Sequence, residues 1–264
     1  MDLQLKNKTA FISGSTAGIG LAIAAGLLKE GATVIINGRT EDAINKAIDV
    51  LKGEIQDANV YGIPADFSNE KEIGALLSKL PDIDILINNV GIFEPKAFAE
   101  ISDEDWFRFF NVNVMSGVRL SRHFFDKMIA KNWGRIIFIS SESAIFIPDE
   151  MIHYGMTKTA QLSISRGLAE LTKGTGVTVN SVLPGPTRSR GVGDFLSDLS
   201  KQEGVTEDEM ETKFFKDFRP TSLLQRFAST EEIANMVVYL SSPLSSATNG
   251  ATLRVEGGLL RNAF

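Results

Sequence analysis

The segment AFISGSTAGIGLAIAAGLLKEGATVIIN, residues 10–37, joins two short apolar runs through a glycine-rich turn and a helix-forming stretch. The runs AFIS and TVIIN do not alternate between polar and apolar side chains, which is typical of strands buried on both faces of a parallel sheet. Gly31 lies where the helix ends and the second strand begins. The segment therefore predicts a strand–helix–strand unit.

The alternation of predicted strands and helices continues through the chain. Further apolar runs are VYGIPA (60–65), IDILIN (83–88), RIIFIS (135–140), VTVNSVL (177–183) and ATLRV (251–255). Helix start signals separate them, at Ser68, at Ser102 with its capping acid Asp105, and at Ser229 with Glu232. The alternation predicts an α/β fold with one doubly wound Rossmann-type domain over residues 1–264. We expect a seven-stranded parallel sheet with helices on both faces and ligands at the C-terminal strand ends.

Composition limits the possible partners and chemistries. The chain has 43% hydrophobic and 23% charged residues, and its net charge of −6 implies no basic surface for nucleic acid. It contains no cysteine, which excludes disulfides, thiolate catalysis and cysteine–zinc sites. No signal-peptide pattern and no apolar stretch near the ~20 residues needed to span a bilayer is present. We expect a cytoplasmic protein without a membrane partner.

Residues 186–226 form a long insertion in the strand–helix alternation, between the sixth predicted strand and the last helix. The segment is acidic and amphipathic, with the apolar side chains Phe195, Leu196, Leu199, Met210, Phe214, Phe215 and Phe218. An insertion of this length in a compact domain indicates a lid or binding element, so we predict a substrate lid. The alternatives are a surface helix packed on the body and a subunit contact.

The glycine-rich turn predicts a dinucleotide site. Gly14, Gly18 and Gly20 allow a tight turn and the close approach of a pyrophosphate to the N-terminus of the following helix. The second strand ends in Asn37 and Gly38 followed by Arg39, where dinucleotide folds often carry an acid for the ribose hydroxyls. An arginine there can pair with a 2′-phosphate, so NADP(H) is favoured over NAD(H). The alternative is a solvent-exposed arginine.

The motif YGMTK places Tyr154 and Lys158 four residues apart, on the same face of a helix. A nearby ammonium favours the phenolate and lowers the tyrosine pKa from its ordinary value of about 10. Such a pair can move a proton to or from a substrate oxygen near neutral pH. The alternative is a packed tyrosine beside a solvated lysine.

Eight segments in order resemble the short-chain dehydrogenase/reductase family over essentially the full length of the chain. They are SGSTAGIG (13–20), ADFS (65–68), NNVG (88–91), NVNV (111–114), ISSES (139–143), YGMTK (154–158), NSVLPGPTRS (180–189) and NGATLRVEGG (249–258). The chain looks most like the bacterial 3-oxoacyl-carrier-protein reductases. Two stretches differ from those reductases, the one that follows Ser141 and the 186–226 insertion.

The resemblance implies four catalytic residues. Tyr154 matches the general acid/base, and Lys158 matches the lysine that lowers the pKa of that tyrosine and holds the nicotinamide ribose. Ser141 matches the serine that hydrogen-bonds the substrate carbonyl. Asn113 matches the asparagine that supports a water-linked proton relay.

The resemblance also implies cofactor-binding residues, among which Tyr154 and Lys158 appear again. The others are Gly14, Ser15, Gly18, Ile19 and Gly20 in the pyrophosphate loop, Asp66 at the adenine, Asn89 and Gly91 beside the adenosine ribose, and Pro184, Gly185, Thr187 and Ser189 over the nicotinamide. Helices at 102–131 and 153–174 resemble those through which the family forms homodimers and homotetramers, so a symmetric homo-oligomer is expected.

The stretch between Ser141 and Tyr154 predicts the substrate pocket. We expect Ser143, Ile145, Phe146 and Met151 to line a partly apolar pocket, although Phe146 could instead serve subunit packing. No metal site is expected. The predicted activity is hydride transfer between a nicotinamide cofactor and a ketone or secondary alcohol, with an apolar carbonyl compound, a polyol and a 3-oxoacyl thioester left open as substrates. The alternative is a cofactor-binding sensor or scaffold protein without turnover.

Overall fold

Seven parallel strands form the centre of the molecule. The computed structural model describes residues 1–263, without the side-chain surroundings of positions 190, 191, 194, 195, 198, 199 and 202. The strands are β1 (Thr9–Ile12), β2 (Thr33–Gly38), β3 (Val60–Pro64), β4 (Ile85–Asn88), β5 (Gly134–Ile139), β6 (Val177–Pro184) and β7 (Thr252–Val255). They pair in the order β3-β2-β1-β4-β5-β6-β7. The predicted seven-stranded parallel sheet is confirmed.

Helices cover both faces of the sheet, as predicted. They are α1 (Gly18–Lys29), α2 (Glu41–Glu54), α3 (Glu70–Lys79), α4 (Asp103–Phe109), α5 (Ser116–Lys131), α6 (Ile152–Glu170), α7 (Arg190–Glu203), α8 (Glu207–Asp217) and α9 (Thr230–Ser241). Side chains of α1, α2 and α9 pack on one face, and those of α3, α5 and α6 on the other. Within residues 1–263, no helix has both the length and the apolar character needed to cross a lipid bilayer.

Alternate strand residues enter opposite halves of the core. In β1, Ala10 and Ile12 belong to the cluster beneath α1 and α9, whereas Phe11 belongs to the cluster beneath α3 and α5. Strand β5 divides in the same way, with Ile137 on one side and Phe138 on the other. Because both faces are covered, most positions of the central strands are apolar, and the sequence shows no regular alternation.

The three predicted helix starts are confirmed. Ser102 and Ser229 each form a complete capping box, at α4 and α9. The predicted start at Ser68-Asn-Glu opens α3, with Asn69 as the N-cap residue that accepts from the Lys71 N–H. The N–H of Ser68 donates to Asp66 Oδ1 at 2.8 Å, which closes a turn before the helix.

The strand order reverses between β1 and β4. From β1 the chain passes to β2 on one side, whereas β4 pairs with the other side of β1. The loops that follow these two strands therefore diverge at the C-terminal edge of the sheet, which is where open α/β sheets bind ligands. The Ser13 N–H, just past β1, donates to Ile87 O of β4 at 3.1 Å and closes the floor of that crevice.

The packing of α1 against α9 gives a test of the fold. A methyl group at Gly26 would lie 2.7 Å from Val238 Cγ2, whereas Gly74 on the exposed face of α3 has open space around it. We expect Gly26→Ala to lower the free energy of unfolding by about 1–3 kcal/mol through overpacking. Gly74→Ala should raise it by about 0.5–1 kcal/mol because alanine favours the helix. Urea unfolding of both variants measures the difference, and equal effects would contradict the α1–α9 contact.

Candidate active site

The turn between β1 and α1 depends on glycine at three positions. Gly14 and Gly18 have φ angles of +62° and +58°, where a side chain is strained. A Cβ at Gly20 would lie 2.6 Å from Gly14 O, so the turn closes directly on the helix. Ala17, the N-cap residue of α1, provides no side-chain acceptor. The first amide groups of α1 are thus available to an anion such as a pyrophosphate, and the cradle fits a dinucleotide.

Neighbouring strands hold this turn in place. Ser15 Oγ donates to Ile12 O at 2.7 Å and accepts from the Asn37 N–H at 3.0 Å. Asn89 Nδ2 donates to Ser13 O at 3.1 Å and to Gly14 O at 2.8 Å. Ser15 is fully buried, so its side chain shapes the turn from within. Asn89 connects the turn to the end of β4.

The end of β2 combines a buried amide with an exposed cation. Asn37 is 1% exposed, and its Oδ1 accepts from the Gly14 N–H at 3.0 Å. Its Nδ2 donates to Ile63 O at 3.0 Å, so the side chain is used within the sheet. Arg39 is exposed. The Ser68 N–H and, more weakly, the charge of Arg39 lower the pKa of Asp66. Arg39 and Asp66 follow the neighbouring strands β2 and β3, so they lie at the same edge of the sheet.

Ser141, Tyr154 and Lys158 line one cavity of about 670 Å³. Ser141 follows β5, whereas Tyr154 and Lys158 lie one turn apart on α6. Lys158 is 4% exposed, and its Nζ donates to Ile139 O at 3.0 Å. That nitrogen lies 5.6 Å from the centre of the Tyr154 ring. The structure thus brings the three predicted catalytic side chains together.

Asn113 lies in a π-helical segment, Phe110–Met115, between α4 and α5. Its Oδ1 accepts from the Ile92 N–H at 2.8 Å, and its Nδ2 donates to Ile92 O and to Thr157 Oγ1, each at 3.0 Å. The side chain therefore connects the loop after β4 to α6, one residue before Lys158. Such π segments are common at functional sites. Asn113 supports the site from behind and is not part of the cavity wall.

The pKa of Tyr154 differs from the sequence-based expectation. Burial and the negative charge of Glu142 raise the pKa of Tyr154, against a smaller lowering by the nearby Ser141 side chain. Burial lowers the pKa of Lys158 to about 8, and Glu142 opposes that change. Burial also raises the pKa of Glu142 itself. The expected lowering of the Tyr154 pKa is wrong for the protein alone, because loss of water and the Glu142 carboxylate outweigh the effect of Ser141.

Predicted cofactor residues form the other half of the cavity wall. Those that line it, besides Tyr154 and Lys158, are Ile19, Asn89, Gly91, Pro184, Gly185, Thr187 and Ser189. At Gly91 a Cβ would lie 3.3 Å from Lys158 Nζ, so this glycine lets the lysine approach the end of β4. Gly14 and Ser15 lie in the turn, Gly18 and Gly20 lie at the start of α1, and Arg39 and Asp66 follow the ends of β2 and β3.

Two of the four predicted pocket residues line the cavity, Ser143 and Met151. Ile145 and Phe146 do not, and they are 42% and 50% exposed. This corrects their assignment to the pocket. The chain turns outward after the short helix Glu142–Ala144, which leaves both side chains on the surface.

The 186–226 segment contains two helices, α7 and α8, that cover the cavity. Leu196, Met210 and Phe215 form a small core with Phe227. Val192, Leu196, Met210, Phe214, Phe218 and Phe227 also line the cavity. The side chains of Phe195 and Leu199 lie outside the described part of the chain. Apolar side chains of the 186–226 segment thus face the cavity, where the substrate is expected to bind.

Sequence reasoning missed Glu142 and Arg219. Both line the cavity, and both side chains are 7% exposed. Glu142 Oε2 accepts from Ser141 Oγ at 2.5 Å, and Arg219 Nε lies 3.7 Å from Glu142 Oε1. The available signal was a glutamate directly after the predicted catalytic serine, in ISSES.

Comparison with known proteins agrees with this geometry. Residues 8–199 match the family model described as short chain dehydrogenase. The chain is 53% identical over 264 residues to the uncharacterized oxidoreductase YvaG of Bacillus subtilis (strain 168), covering 100% of both chains. It is 32% identical to the 3-oxoacyl-[acyl-carrier-protein] reductase FabG of Aquifex aeolicus (strain VF5), with 98% of this chain and 100% of that protein covered.

A solved structure shows the same architecture. The L-sorbose reductase of Gluconobacter frateurii, complexed with NADPH and L-sorbose, superposes with a TM-score of 0.92 at 30% identity, covering 99% of this chain and 100% of that one. The glycine turn, the seven-stranded sheet and the serine–tyrosine–lysine cavity are thus found in a chain whose relatives include several oxidoreductases. The chain therefore belongs to the short-chain dehydrogenase/reductase family of NAD(P)-dependent oxidoreductases.

Proposed function

We propose that the protein transfers a hydride between NADP(H) and a ketone or secondary alcohol, with Tyr154 as the general acid/base. The supporting observation is the single cavity lined both by Ser141, Tyr154 and Lys158 and by predicted cofactor residues. A small-molecule carbonyl or alcohol is therefore the partner. The sensor alternative is less favoured, because burying Lys158 and Glu142 at the end of the sheet has no evident structural benefit.

A bound nicotinamide supplies the hydride, and the side chains of the cavity supply placement and charge. In reduction, negative charge develops on the carbonyl oxygen. The hydroxyl groups of Ser141 and Tyr154 donate to that oxygen, and Tyr154 delivers the proton that completes the alcohol. In oxidation the alcohol gives its proton to the Tyr154 phenolate.

Lys158 stabilises the phenolate that remains on Tyr154 after proton transfer. Its ammonium is held against Ile139 O, near the tyrosine ring. Because water is largely excluded, this charge acts at a lower effective dielectric than at the surface. Asn113 contributes by fixing the loop at Ile92 and the backbone of α6 through Thr157.

NADP(H) is favoured over NAD(H) by the end of β2. Asn37 is committed to the sheet and leaves Arg39 as the exposed polar group at the predicted ribose position. A guanidinium suits a 2′-phosphate. The similar L-sorbose reductase was solved with NADPH, which is consistent with this preference.

Two further features belong to the proposal. Helices α7 and α8 act as the substrate lid, since their apolar side chains line the cavity. The protein forms a symmetric homodimer or homotetramer, for which the exposed aromatic side chains Phe98, Phe107 and Phe110 provide contact area. Location in the cytoplasm stays a prediction from the sequence.

Removal of the Tyr154 hydroxyl tests the acid/base assignment. We expect Tyr154→Phe to lower kcat by about 100-fold to 10,000-fold, because the proton donor is lost. The dissociation constant for NADPH, measured by fluorescence, should change by less than about threefold since the ring remains. Substantial turnover by the folded, cofactor-binding variant would refute the role of Tyr154.

Reversing the charge at Arg39 tests the cofactor preference. We expect Arg39→Asp to lower kcat/KM for NADPH by about tenfold or more, and to leave or improve that for NADH. Lys52→Asp on the exposed side of α2 makes the same charge change elsewhere and serves as the control. An unchanged ratio of the two cofactors in Arg39→Asp would exclude this arginine as the phosphate contact.

The pKa of Lys158 predicts a stability change with a defined pH dependence. Below about pH 8 the folded protein carries the buried ammonium, which is disfavoured relative to the unfolded chain. Lys158→Met should therefore raise the free energy of unfolding at neutral pH by about 1–3 kcal/mol, after the lost bond to Ile139 O is subtracted. Activity should be lost.

The increase in the free energy of unfolding caused by Lys158→Met should shrink as the pH rises from about 8 to 10.5. In this range Lys158 of the unfolded wild-type chain still binds a proton that Lys158 of the folded protein has released. Urea unfolding at several pH values measures this trend. Lys173→Met, at an exposed lysine, is the control and should show neither effect. A Lys158→Met variant destabilised equally at all pH values would contradict the lowered pKa.

A further inference from the structure

The hydroxyl hydrogen of Ser141 is already engaged in this structure. Ser141 Oγ donates to Glu142 Oε2 at 2.5 Å and accepts from the Ser143 N–H at 3.1 Å. A serine hydroxyl has one hydrogen to donate. While Ser141 donates that hydrogen to Glu142, it cannot donate to a substrate carbonyl. Tyr154 is then the one hydroxyl donor left of the pair.

A substrate can release Ser141 if it brings a donor of its own to Glu142. A simple ketone has none. A ketone with a hydroxyl group on the neighbouring carbon carries a donor next to its carbonyl oxygen. Two oxygens on adjacent carbons lie about as far apart as two hydrogen-bonded oxygens, roughly 2.5–3.0 Å. This spacing matches the 2.5 Å between Ser141 Oγ and Glu142 Oε2.

The charges at this end of the cavity favour a neutral donor. Arg219 Nε has no hydrogen-bond partner and lies 3.7 Å from Glu142 Oε1, and a terminal nitrogen of Arg219 lies 3.7 Å from Glu150 Oε1. Of the described residues that line the cavity, Lys158 is the other cation. Two cations thus face two carboxylates, which leaves no surplus positive charge for a substrate carboxylate or phosphate.

Much of the remaining wall is apolar. Phe93, Met151, Phe214 and Phe218 line the same cavity as Glu142 and Arg219. Such a surface suits an uncharged hydrocarbon or aryl group rather than a chain of hydroxyl groups. The cavity therefore combines one polar corner for two adjacent oxygens with a larger apolar region.

We propose that Glu142 is a specificity-determining residue that selects α-hydroxy ketones with an apolar substituent, and the corresponding vicinal diols in oxidation. The inference rests on the proposed function. The substrate hydroxyl donates to Glu142, which frees the Ser141 hydrogen for the carbonyl oxygen. The carbonyl carbon gains the hydride from NADPH and its oxygen gains the proton from Tyr154, while the neighbouring hydroxyl is unchanged.

Matched substrates test this selection. With NADPH, we would compare 2-hydroxyacetophenone, 2-methoxyacetophenone and propiophenone, which present a hydroxyl, a methylated oxygen and a methyl group at the same place. The wild-type protein should show kcat/KM for the hydroxy ketone about tenfold or more above both others. The methoxy compound separates hydrogen-bond donation from the electronic effect of the oxygen.

The variant Glu142→Gln keeps the shape of the side chain and removes its charge. It should lower the preference for the hydroxy ketone over propiophenone, the ratio of the two kcat/KM values, by about tenfold or more. Glu150→Gln is the matched control, because it removes the other carboxylate that faces Arg219 without touching Ser141. It should affect all three substrates alike.

The outcomes separate this inference from the proposed function. Binding of NADPH by Glu142→Gln, followed by fluorescence, shows that the variant is folded. Tyr154-dependent reduction of all three ketones at similar rates, or an unchanged preference in Glu142→Gln, overturns the role of Glu142 and leaves the proposed function standing. No turnover of any carbonyl compound by the NADPH-bound wild-type protein overturns both.

Discussion

The direct pairing of β1 with β4 is the contact on which the site depends. Ala10 and Ile12 lie beside Ile85 and Ile87, and this register places Ser13 and Asn89 next to each other at the strand ends. Asn89 then holds the carbonyl groups of the glycine turn, so the N-terminus of α1 is aimed from β4. A shift of one residue between these strands would turn their side chains to opposite faces and separate the turn from its support.

The second half of the site is built from groups that a folded protein rarely buries. Glu142, Lys158 and Arg219 are each at most 7% exposed, and they lie around a cavity whose other walls are largely apolar. Arg219 Nε lies 3.7 Å from Glu142 Oε1 and has no hydrogen-bond partner. The opposite charges are therefore near one another without forming a hydrogen-bonded ion pair. An arrangement of this kind reduces stability and retains the capacity to bind a polar group. The stable sheet beneath it makes that arrangement tolerable.

The features that depend on a local sequence pattern could be predicted from the sequence. The seven apolar runs lie within a residue or two of β1 to β7, because burial on both faces leaves a largely apolar signature in the central strands. The glycine turn and the Tyr154–Lys158 pair were equally visible, since their spacing is local. The contact between Glu142 and Arg219 was not, because 77 residues separate them and only the folding of α7 and α8 over the sheet brings them together. The exposure of Ile145 and Phe146 also depends on a turn that no periodicity records.

The π-helical segment Phe110–Met115 constrains the chain in a further way. An α-helix advances about 100° per residue, so one extra residue in a turn re-phases everything that follows it. Before the segment, Phe109 packs on His153 of α6, with ring centres 4.0 Å apart. After it, Leu120 and Phe124 face the sheet. Loss of one residue here would rotate the apolar stripe of α5 away from β4 and β5, so the length of this stretch is fixed more strictly than its composition.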